Sequence, residues 1–263
     1  MVAQFRVYGS EMRFAAKGRS QFIVGPSQRQ KGLKNIKKKT NTMPLKIIGS
    51  SHIAKESIDQ VERTIRELKP KVVAIELDQK RLHALLSPQK QKGPSLKDVK
   101  RIGVQGYIFA LLGSWLERKL GAQVGVFPGD EMRVAIRVAK EENAQIALID
   151  QDIDRTLKRL SQGLTWKEKF RFAGDIVQGV IFKKGIEFDL AKVPHDEIIA
   201  KLLEEVRHKY PTLYRVLVIE RNEHMAKVLA HLLKQHAEET IVAVVGAGHK
   251  KEIASLVKKY LSL

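Results

Sequence analysis

Glycine and histidine recur at the same spacing near the two ends of the chain, as Gly49-Ser50-Ser51-His52 and Gly246-Ala247-Gly248-His249. Each motif follows a short apolar run, residues 45–48 and 241–245, and each precedes a segment with helical patterning. A strand that ends in Gly-x-x-His puts an imidazole just past its C-terminal end, where open α/β sheets hold their ligands. A third group belongs with them. Glu76 interrupts the apolar run Val72-Val73-Ala74-Ile75-Glu76-Leu77, and a carboxylate in such a strand is costly unless it is paired or bound to a metal. Two imidazoles and a carboxylate suit a divalent metal with open positions, so His52, Glu76 and His249 are the candidate ligands. The same residues suit metal-free acid–base work. Gly49 and Gly246 allow close backbone approach after a strand. The amides that follow them, near a helix N-terminus, suit an anion or oxyanion, which makes Gly49 and Gly246 the candidate cofactor-binding positions. Asp150 stands at the end of another apolar run, and is a fourth position expected to converge with His52, Glu76 and His249 past the strand ends.

These residues need a sheet to bring them together. The spacing predicts strands at 45–49, 71–77, 145–149 and 241–245, the second reading as a buried parallel strand interrupted by Glu76. Helical spacing marks 57–68, 78–86, 131–142, 153–160, 197–207, 213–235 and 251–261. Residues 96–120 and a stripe over 170–182 are also helical. Strand, helix and strand within the first such unit make a βαβ motif. The expected fold class is α/β: a central, mostly parallel sheet with helices on both faces and a helical cap over the strand ends. The predicted organisation is one domain over 43–263 with a helical insertion at about 96–210, preceded by a flexible basic extension, 1–42.

Composition narrows the chemistry. The 263 residues include no cysteine, which excludes a disulfide, a cysteine zinc site and a thiol nucleophile. The absence of cysteine with abundant charge is compatible with a thermophilic source. Residues 1–42 carry ten Lys/Arg against one acid, Glu11, a net +9 of the chain's +19. No nucleic-acid motif accompanies that charge and aromatics are 6 %, so a solvated basic surface is expected and no specific nucleic-acid partner. No apolar run reaches the ~18 residues of a membrane span, and no secretory signal is evident. A cytoplasmic protein is expected, with membrane-surface association left open. Serine-hydrolase, zincin, P-loop and dinucleotide-binding motifs are all missing. The apolar stretches 104–116 and 170–186 exceed what one sheet face needs, so either ordinary core or a homodimer interface is open.

Several segments together resemble the TraB family: 48–57 (IGSSHIAKES), 69–78 (KPKVVAIELD), 128–132 (PGDEM), 150–157 (DQDIDRTL), 219–226 (IERNEHMA) and 244–249 (VVGAGH). They occur in the family's order over 45–260. Ser50 stands where the family often has threonine, and Gln151 where an arginine commonly follows the aspartate. The family includes pheromone-shutdown proteins and archaeal members, and is related to the Tiki proteases and the erythromycin-esterase/ChaN-like superfamily. The resemblance implies an α/β fold of that type with both Gly-x-x-His motifs, a glutamate and an arginine around one cleft. It therefore adds Arg221 to His52, Glu76 and His249 as expected catalytic positions; spacing alone reads Arg221 as a surface ion pair. It implies a metal-dependent hydrolase of peptides or other amides, using Mn, Co or Zn. The alternative is a non-catalytic protein that binds a peptide or small ligand in the same cleft.

Overall fold

The computed structural model describes residues 4–7, 10–13, 44–50, 55–87, 99–100, 107, 129–181 and 195–262. Two short strands, β1 (Gln4–Val7) and β2 (Ser10–Arg13), fall within the basic N-terminal segment. They are followed by β3 (Leu45–Ser50), α1 (Lys55–Leu68), β4 (Val72–Ile75), α2 (Gln79–Leu86), α3 (Asp130–Glu141), β5 (Gln145–Leu148), α4 (Ile153–Gly163), α5 (Trp166–Ile181) and α6 (His195–Lys209). A continuous helical stretch comes next. It runs from α7 (Pro211–Tyr214) through one wide π-type turn (Arg215–Ile219) into α8 (Glu220–Gln235). Strand β6 (Ile241–Gly246) and α9 (Ala247–Leu261) follow.

Four strands form a parallel sheet in the order β5-β4-β6-β3, and the β1–β2 hairpin adds to its β5 edge. The sheet is the expected α/β one, and β5, within the span 96–210, is one of its strands. The last strand inserts between the first two strands of the parallel sheet. That insertion makes β3 and β6 neighbours, in register from Leu45 opposite Ile241 to Ser50 opposite Gly246. The two ends of the domain are joined there. Each strand feeds alternate residues to two cores. Val73, Ile75, Ile146, Val242, Val244 and Ile48 pack under α1, α2 and α3. Val72, Ala74, Ala147, Ala243 and Val245 pack under α8 and α9. Ala74, Ala147 and Ala243 are register partners across the three inner strands. Three small side chains in one row let Met225, Ala226 and Leu229 of α8 lie close on the sheet.

A smaller core of Leu160, Leu164 and Val216 ties α4 to the π-type turn. Glu168 locks the same corner, accepting from the Thr165 amide at 2.9 Å and the Thr212 amide at 2.7 Å. In the stripe read over 170–186, Phe172 turns edge-on to Tyr210, whereas Phe170 faces solvent beside Trp166. The apolar run 104–116 lies almost wholly outside the described residues. No helix among those residues is long and apolar enough to cross a membrane.

Candidate active site

The C-terminal ends of β4, β5 and β6 converge on one buried charge cluster. Glu76 is the first residue past β4, and its backbone amide still donates to Val244 O of β6, at 3.1 Å. Strand alternation then puts Glu76 on the face shared with Val72 and Ala74, under α8. Its side chain is 7 % exposed. Oε2 accepts from the Gly246 amide at 2.6 Å, at the N-terminal cap of α9. The helix dipole favours a carboxylate there. Oε1 accepts from Arg221 Nη2 and lies 3.6 Å from His249 Nε2.

Arg221 enters from the first turn of α8. The π-type turn before it bonds the Glu220 amide to Arg215 O, inserting one extra residue; such turns recur at functional sites. Arg221 then reaches Asp150, just past β5, with Nε to Oδ1 at 3.0 Å and Nη2 to Oδ2 at 2.7 Å, while Nη1 donates to Leu217 O at 3.2 Å. This is the planar fork that arginine offers to carboxylates. A second guanidinium, Arg81 of α2, also donates to Asp150 Oδ2 and is held by Asp78 at 2.8 Å. Asp78 in turn caps α2 through the amides of Lys80 and Arg81.

The electrostatics follow from this pairing. Burial pushes the Asp150 carboxyl up, but Arg221 and Arg81 outweigh it and hold it down at about 2. Burial likewise opposes ionisation of Glu76; Arg221, then His249, and the Gly246 amide keep it below the ordinary carboxylate range. Burial would lower Arg221, and its two carboxylates raise it instead. Glu76, Asp150 and Arg221 are therefore all charged at neutral pH. His249, in the first turn of α9, has Nδ1 2.6 Å from Asn222 Oδ1.

Of the residues expected from the sequence, Glu76, Arg221, Gly246 and His249 come together. His52 lies outside the described residues; β3, which leads toward it, ends opposite Gly246. Gly49 packs where a Cβ would sit 3.2 Å from Ala247 Cα and 3.0 Å from Lys250 Cδ, so it permits β3 and α9 to approach. Gly246 has φ −59° and ψ 145°, a conformation open to any residue, and its contribution is the amide given to Glu76. Asp150, the fourth position expected at the strand ends, joins Glu76 and Arg221. Two further members, Asn222 and Arg81, lie outside that reading. Asn222 adjoins Arg221 but carries no signal of its own. Arg81 has none.

A model of the TraB/PrgY/gumN family matches residues 33–260. The chain belongs to that family. Within this TraB-family chain, an uncharacterized protein of Methanocaldococcus jannaschii is 37 % identical over 223 residues, covering 83 % of the chain and 54 % of that protein. The mouse and human TraB domain-containing proteins are each 27 % identical over 232 residues, covering 77 % of the chain and 60 % of theirs. The TraB-family chain thus spans roughly half to three-fifths of the length of these relatives.

Proposed function

We propose that this TraB-family chain hydrolyses peptide or other amide bonds at the strand ends, with Glu76 and His249 holding a divalent ion. The observation that carries the reading is the approach of His249 Nε2 to Glu76 Oε1 at 3.6 Å. A separation of that size would let both atoms be ligands of one divalent ion. Among the described residues no group of three or more His, Asp and Glu side chains is arranged to hold an ion. His52, of the other Gly-x-x-His motif, is the third ligand in this proposal. Glu76, His249 and His52 would hold Mn, Co or Zn, which when bound would supply Lewis-acid polarisation of a carbonyl. Glu76 keeps its negative charge for that ion because Arg221 and the Gly246 amide hold it ionised. The Arg221 donors are directed at Glu76, Asp150 and Leu217 O, which makes Arg221 a positioning residue in this scheme.

One observation favours a second reading, ligand binding without turnover: Arg221 and Arg81 already neutralise Glu76 and Asp150 internally. Metal-stripped protein, reloaded with Mn, Co or Zn and given a mixed peptide pool followed by mass spectrometry, separates the two. The hydrolase reading expects cleavage with at least one ion and a loss of about 100-fold or more in His249→Ala and Glu76→Gln. Cleavage unchanged in both variants contradicts it. Peptide retention without cleavage, altered in Glu76→Gln, supports the second reading instead.

A further inference from the structure

The first turn of α8 holds both halves of the site with adjacent residues. Successive helical side chains point about 100° apart. Arg221 is turned to the ends of β4 and β5, and Asn222 to α9. Asn222 is only 1 % exposed, so its side chain is packed within the core.

The atom that Asn222 presents decides the state of His249. It offers Oδ1 to Nδ1 at 2.6 Å, and an amide oxygen only accepts. The ring proton therefore belongs on Nδ1, and in the neutral imidazole Nε2 carries a lone pair. Nε2 is the nitrogen 3.6 Å from Glu76 Oε1, an oxygen that also only accepts. The Gly246 amide and Arg221 hold Glu76 in place, so these atoms stay opposed. A cation between them makes the arrangement favourable. The local charge agrees. Glu76, Asp150 and Asp78 are three carboxylates against two guanidiniums, Arg221 and Arg81.

We infer that Asn222 is a positioning residue that fixes His249 as the Nδ1–H tautomer and so aims the Nε2 lone pair at the site. The inference deepens the proposed function and rests on it only for what Nε2 then does. A ligand histidine held through its other nitrogen by an oxygen acceptor is the arrangement that favours metal binding.

Long-range proton–nitrogen NMR on metal-free, 15N-labelled protein at about pH 9, where ordinary imidazoles are neutral, tests this. The His249→Ala spectrum assigns the signal. The expected result is the Nδ1–H pattern in the wild type, kept in Asn222→Asp, which preserves an acceptor oxygen, and mixed or reversed in Asn222→Leu. An Nε2–H pattern in the wild type, with the amide turned to donate to Nδ1, overturns the inference. So does an unchanged pattern in Asn222→Leu. Because Asn222 is buried, the wild-type spectrum decides the matter even if Asn222→Leu does not fold. An Nδ1–H wild type that cleaves no peptide supports the tautomer and counts against the hydrolase; an Nε2–H wild type that does cleave peptides gives the reverse.

Discussion

At the residue scale the site is a set of buried charges that depend on one another. Asp150 has a side chain with no exposed surface, yet its carboxyl is held at about 2 by two guanidiniums. Removing either partner of such a pair leaves an uncompensated charge in the interior. The pH dependence follows from the folded state having depressed carboxyl pKa values. Asp150 and Glu76 contribute stability that is fully present above the unfolded carboxylate value, about 4. It is lost as pH falls through the folded values. The urea midpoint is therefore expected to hold from pH 7 to about 5 and to fall between about 4 and 2. In Asp150→Asn that fall is expected to be shallower. An equal slope in the variant speaks against Asp150 as a major contributor. The same charges explain what sequence reading missed. Arg221 was legible through family resemblance alone, because a helix-borne arginine next to a glutamate has the pattern of a surface pair. Asp150 was visible as a strand-end acid without a role, since its partners come from α2 and α8, distant in sequence. Asn222 was silent because its meaning lies in a contact 27 positions away.

At the element scale, β6 inserted between β3 and β4 makes one place out of two distant motifs. The strands were legible from apolar runs, and the alternation of side chains assigns each to a face. Their order was not, because register and neighbour choice depend on which helices cover which face. The Ala74, Ala147 and Ala243 row explains why α8 lies close enough for Arg221 to reach both carboxylates. Gly49 plays the matching part between β3 and α9. A side chain there would meet the Ala247 backbone at 3.2 Å, and backbone does not move as a flexible side chain does. Gly49→Val is expected to cost about 1–3 kcal/mol, the range for overpacking a filled interior, read from urea unfolding. A variant as stable as the wild type means that β3 and α9 separate easily, and that Gly49 does not set their distance.

At the scale of the whole molecule, the two ends of the domain supply neighbouring strands of one parallel sheet, and the site lies past the strands' C-terminal ends, where such sheets place ligands. The fold class and the helices on both faces were legible in the sequence, since periodicity and continuous apolar runs report burial directly. Chemistry was less so: Gly-x-x-His names residue types, whereas function depends on which atom faces which. The strand-end carboxylate and the C-terminal Gly-x-x-His motif meet at the gap between Glu76 and His249. Titrating Mn, Co and Zn into metal-free protein by calorimetry measures that gap directly, with His249→Ala, Glu76→Gln and His52→Ala beside it, each checked for folding by circular dichroism. The expected result is uptake of one equivalent of at least one ion by the wild type and its loss in all three variants. No uptake by the wild type, or equal uptake by the folded variants, contradicts it.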